Sequence, residues 1–95
     1  MAAPRYIADG VYQVGGPGLT APEDCMVYLL VGSPSFLIDA GAGSSAARIL
    51  DLIKKTRCPL TSLSYLILTH AHIDHVGGAP FFKACFPELK IVAHQ

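Results

Sequence analysis

Three of the chain's four histidines fall within six residues, in His70-Ala71-His72-Ile73-Asp74-His75, and an aspartate lies among them. No other feature narrows the fold and chemistry so far. Neutral imidazole and carboxylate are natural ligands for zinc, iron or manganese. In extended backbone, residues two apart point the same way, so His70 and His72 can converge on one metal. Asp74 and His75 are adjacent and can serve a second metal if the chain turns after residue 72. Ala71 and Ile73 add no competing donors. Gly77-Gly78 lets the backbone turn sharply before the next element. The competing reading, a chance group of surface or core histidines, is weak for four ligand-type residues in six.

The flanking pattern says what carries this cluster. Ser64–Thr69 is an apolar, aromatic and β-branched run, which reads as a buried strand ending at His70. Open α/β sheets place their sites just beyond the carboxyl ends of strands. Upstream, Tyr6-Ile7 and Val11–Val14 flank Asp9-Gly10, a hairpin signal. Gly15-Gly16-Pro17-Gly18 reads as a turn and not a phosphate loop, because no Lys-Ser/Thr follows. The apolar runs Cys25–Val31 and Ser35–Asp39 surround Gly32-Ser33-Pro34 and predict a second hairpin, with strands packed on both faces. Ala46, Ile49, Leu50 and Ile53 follow helical spacing after a Gly43-Ser44-Ser45 start. Lys54, Lys55 and Arg57 suit a solvated last turn, and Pro59 stops it. Pro80 opens a further short helix with Phe82, Cys85 and Phe86 on its apolar side, and Lys90–His94 begins another strand. The fold class is therefore α/β, a mixed sheet with helices.

Composition sets limits on partners. Lys plus Arg is 7 and Asp plus Glu is 7, which removes the basic footprint of a dedicated nucleic-acid binder. Charged residues are only 15%, against about 25% on average, and hydrophobic residues reach 52%. Such a chain resembles the interior of something larger. Three scattered cysteines, Cys25, Cys58 and Cys85, read as reduced, partly buried thiols. The first residues lack the apolar stretch of a secretory signal, and no run approaches a membrane span, so the expected location is cytoplasmic.

The motif His70-x-His72-x-Asp74-His75, following an apolar strand and leading into Gly77-Gly78, resembles the signature of the metallo-β-lactamase superfamily. The resemblance runs along nearly the whole chain. Asp9–Val14 is similar to the opening strands of that fold, Phe36–Gly41 to its strand-end Asp-x-Gly motif, and Leu66–His70 to the strand feeding its metal loop. Histidine at 72 is similar to hydrolytic members: glyoxalase II-type thioesterases, lactonases, β-lactamases and RNA-processing nucleases. Flavodiiron relatives carry glutamate there.

The resemblance implies that His70 and His72 bind a first metal and that Asp74 and His75 bind a second. Asp74 also orients a catalytic water, and Asp39 lies beneath as a supporting carboxylate. Two divalent ions, zinc first with iron or manganese as alternatives, acidify a water that attacks an ester, thioester or lactone. The implied substrate is a small molecule, with no membrane partner and no nucleic acid. The family fold is an αββα sandwich of two halves, and residues 1–95 match the first. The family's later ligands have no counterpart here, and His94 resembles a strand-end histidine. Residues 1–95 thus read as a partial domain ending early at the C-terminus. Alternatives are a self-assembling half-domain, with a homodimer rebuilding the sandwich, a non-catalytic metal-binding module, a nuclease and a mono-iron sulfur dioxygenase. A half-domain would also expose an apolar sheet face and a strand edge.

Overall fold

The computed structural model describes residues 3–93. His94, read above as a strand-end histidine, lies outside the described residues. Gly10, with φ of 76°, closes the first hairpin between β1 (Arg5–Ala8) and β2 (Val11–Gly15). β2 pairs antiparallel with β3 (Val27–Leu30), and β3 with β4 (Ser35–Ile38). β5 (Leu63–Leu68) then pairs parallel with β4, and β6 (Lys90–Ala93) parallel with β5. One six-stranded sheet results, in chain order. Parallel neighbours need a crossover. Helix α1 (Ala46–Lys54) makes the first, and α2 (Ile73–Val76) with α3 (Ala79–Cys85) makes the second.

The core lies on one face of this sheet. Leu29, Leu37 and Leu66 face each other across β3, β4 and β5 and are fully buried, with Val14 and Val27 beside them. Ile49, Leu52 and Ile53 of α1 and Phe82 of α3 complete the cluster. Each such side chain contributes about 1.5–3 kcal/mol by leaving water. Leu50, expected on the α1 stripe, is only half-buried, and Leu52 on the stripe's other flank is buried in its place. Cys85 is exposed, whereas it was expected on the buried side of α3. Ser45 holds the N-cap position of α1 without a side-chain cap bond, and its hydroxyl accepts from Arg48 instead.

Among the described residues no element packs on the opposite face, whereas the apolar runs predict strands packed on both sides. The cross-strand row Tyr28, Ile38, Ile67 and Val92 lies there, as does Leu30-Phe36-Tyr65, all half-buried or exposed. Phe36 and Tyr65 stack with centroids 5.1 Å apart. The alternation of buried and half-exposed positions along β3 and β4 records this one-sided packing.

β4 and β5 run the same way, so their carboxyl ends lie together at one edge. The chain leaving β5 returns across the chain leaving β4. A Cβ on Gly77 would overlap the Ala42 carbonyl oxygen, and one on Gly78 would overlap that of Ala40. Both glycines have ordinary right-handed dihedrals. They are therefore required by close backbone approach, not by the sharp turn the sequence suggested. Gly78→Ala should lower the unfolding free energy by about 1–3 kcal/mol or more, read from urea denaturation. An unchanged midpoint would contradict this account of the contact.

Candidate metal centre

All five residues singled out from the sequence collect at that shared strand edge. Asp39 directly follows β4, and its side chain is 5% exposed. Thr69 and His70 directly follow β5. His72 takes the N-cap position of α2 in extended backbone, and Asp74 and His75 lie on its single turn. The expected turn after residue 72 is thus a short helix. His70 and His72 are exposed, while the His75 side chain is 19% exposed and that of Asp74 42%.

Asp39 organises this group. Its Oδ1 accepts from the Thr69 amide at 2.8 Å, and its Oδ2 accepts from the Thr69 hydroxyl at 2.6 Å. The Nδ1 of His75 lies 3.1 Å from the same Oδ2. The Thr69 hydroxyl, having given its proton to Asp39, is left as an acceptor, and Nδ1 of His70 lies 3.1 Å from it. A proton on each Nδ1 would satisfy both contacts and leave each Nε2 lone pair free. Carboxylates and hydroxyls beside ligand imidazoles fix the tautomer in this way. Thr69 therefore positions two histidines, a role its bare place before His70 in the sequence hints at but does not specify.

The rings converge in part. The His70 ring centroid lies 4.6 Å from that of His75 and 6.2 Å from that of His72. The Nε2 of His75 lies 3.7 Å from Oδ2 of Asp74. An open cleft of about 380 Å3 adjoins them, lined by Leu68, Thr69, His70, Ala71, Val76 and Ala93. Three imidazoles and a carboxylate, solvent-facing and oriented from below by a buried acid, fit a divalent cation by their donor chemistry.

One neighbour was not singled out as a ligand from the sequence. Cys25 packs beside α2, its amide donating to the Asp74 carbonyl at 3.2 Å. Among the described residues, Cys25, Asp39 and His75 are the group of three whose ligand atoms all lie within 4.8 Å of one another. Burial pushes the Cys25 thiol up from 9.0 to about 11, opposed in part by the Gly41 amide and helped by Asp39, Asp74 and Asp24.

Residues 20–94 match the family profile described as the Metallo-beta-lactamase superfamily. The chain belongs to that superfamily. It is 36% identical over 78 residues to an atrochrysone carboxyl ACP thioesterase of Aspergillus fumigatus, covering 80% of this chain and 24% of that protein. It is 32% identical over 88 residues to a probable metallo-hydrolase, YqjP, of Bacillus subtilis, covering 90% and 27%. Its structure is similar to a metallo-beta-lactamase from Cronobacter sakazakii, with a TM-score of 0.78 and 30% identity over 96% of this chain and 34% of that one. The chain thus spans about a quarter of the length of these curated relatives and a third of that solved chain. The relatives so named are a thioesterase and a probable metallo-hydrolase. Among the described residues, no helix is long and apolar enough to cross a membrane.

Two outcomes follow. Asp39→Asn exchanges an acceptor-only group for one that is half donor, so one of the Thr69 or His75 contacts must fail. Its cost should be about 1–3 kcal/mol in thermal unfolding, and an unchanged midpoint would deny Asp39 its organising role. In metal-free protein near pH 8, an alkylating reagent should reach Cys85 well before Cys25. The thiolate is the reactive form, so a raised pKa slows Cys25 until the pH approaches 11. Equal rates at the two thiols would refute it.

Proposed function

We propose that this chain is part of a metal-dependent hydrolase acting on an ester, thioester or lactone of a small molecule. The observation carrying the reading is that His70 and His75, their rings 4.6 Å apart, lie beside the buried Asp39–Thr69 pair, with Asp74 3.7 Å from His75 and His72 alongside. His70 and His72 would hold one divalent ion, and Asp74 and His75 a second, with zinc the preferred identity. When bound, such ions supply a water acidified toward neutrality and an electrophile for the substrate oxygen.

The chain's own residues do the rest. Thr69 and Asp39 hold His70 and His75 with their Nε2 atoms available. Asp74, half-exposed, would accept a proton from a water and orient it. The cleft beside His70, with Leu68, Val76 and Ala93 in its wall, offers an apolar surface for an acyl group. The name of the Aspergillus fumigatus relative, a thioesterase, supports testing thioesters first.

Residues 1–95 are proposed as the first half of an αββα sandwich. The remaining ligands would then come from further sequence, and the cytoplasm is the proposed location. The polypeptide from its native source should therefore have an intact mass above that of residues 1–95, and a mass equal to it would remove this domain assignment. In the complete protein, His72→Ala should strip metal from the site and reduce thioester hydrolysis to background, by elemental analysis and a thiol-release assay. Full metal content in that variant would sink the ligand assignment.

A further inference from the structure

The geometry points to a second cation site on the inner side of His75, formed by Cys25 Sγ, an Asp39 carboxylate oxygen and His75 Nδ1. We propose that it takes one thiophilic divalent ion, zinc or cadmium. The three ligand atoms lie within 4.8 Å of one another, and the Asp39–His75 pair is already at 3.1 Å. Zinc bonds of about 2.0–2.3 Å place the ligands of a tetrahedral site roughly 3.3–3.8 Å apart. Asp39 and His75 therefore need to open by only a few tenths of an ångström, and the sulfur must approach by up to about 1.5 Å. Its backbone is held in place for this, with the Cys25 amide tied to the Asp74 carbonyl.

The electrostatics favour a cation. Asp39, Asp74 and Asp24 all bear on the Cys25 sulfur with negative charge. On binding, the ion replaces the thiol proton, which passes to solvent, and the His75 proton moves from Nδ1 to Nε2. A neutral imidazole has one lone pair. His75 serving an inner ion through Nδ1 carries its proton on Nε2, and it is then lost to the outer group. Occupancy of the inner site and outward use of His75 thus exclude each other. The inference rests on three residues of this chain and stands whether or not the protein is a hydrolase.

Cobalt is the probe. Added to metal-free protein, it should produce a sulfur-to-cobalt charge-transfer band in the near ultraviolet. That band should vanish in Cys25→Ser and persist in Cys85→Ser. Cobalt held only by histidine and carboxylate gives no such band, so a hydrolase lacking the inner site is distinguished at once. Bound cobalt without the band, or a band surviving Cys25→Ser, would overturn the proposal. If Cys25→Ser does not fold, cadmium NMR on the unsubstituted protein decides the matter. A resonance in the sulfur-ligated range supports the site, and one confined to the nitrogen and oxygen range removes it.

Discussion

Everything at the functional edge depends on one buried carboxylate. Asp39 sits at φ of 65°, a left-handed conformation uncommon outside glycine, asparagine and aspartate. Such a conformation costs of order 1–3 kcal/mol and persists where the surroundings over-determine it. Here they do. The Asp39 amide donates to the Ile67 carbonyl at 2.8 Å, continuing the parallel pairing of β4 with β5 past the end of β4. Its carboxylate then takes both the amide and the hydroxyl of Thr69. The bend directs the carboxylate across to the neighbouring strand end. A buried anion left without these partners would be strongly disfavoured. The same group reaches His75, so the alignment of the two strands and the orientation of a ligand share one interaction.

The short helix α2 shows how far tertiary contacts make this site. Four residues are too few to hold a helix by themselves. Its late carbonyls have no partners further along the helix. The Cys25 amide takes the Asp74 carbonyl, and the Ala40 amide takes that of His75 at 2.8 Å. The Gly78 amide returns a bond to Gly41. On the other side, Asp24 accepts from the Ala42 amide at 2.8 Å and from the Thr20 hydroxyl at 2.6 Å, tying the 16–25 segment to the same turn. The 70–78 segment is therefore a docked piece, and the glycines at 77 and 78 are what let it dock.

Much of this was legible in the sequence, and the gaps have physical reasons. The strands, α1 and α3 declared themselves through apolar runs, turn residues and helical spacing. The histidine and aspartate cluster was visible because its members are neighbours in the chain. α2 was not, since one turn carries no periodicity and its stability comes from Cys25 and Ala40. The need for glycine at 77 and 78 was visible as two glycines, but its cause lies in Ala40 and Ala42, distant in sequence. Cys25 read as an ordinary apolar residue opening a strand. Only the fold brings its sulfur against Asp39 and His75. The one-sided core was equally hidden, because half-buried Tyr28, Phe36 and Ile67 are as apolar as their buried neighbours.

The site divides into a buried floor and solvent-facing imidazoles, and that division bears on how folding and metal binding are coupled. Asp39 and Thr69 satisfy each other through groups within the fold, so the buried acid needs no cation to compensate its burial. His70 and His72 are solvent-facing and cost little to leave hydrated. The strand pairing and the Leu29–Leu37–Leu66 core are independent of both histidines. A domain whose metal ligands form its only core unfolds when the metal leaves. In this chain the proposed ligands crown a structure already closed beneath them. Metal affinity at the proposed site would then come chiefly from the degree to which the floor has pre-set the imidazoles. His75 is fixed by Asp39, His70 is guided by Thr69, and His72 is the imidazole left to adjust.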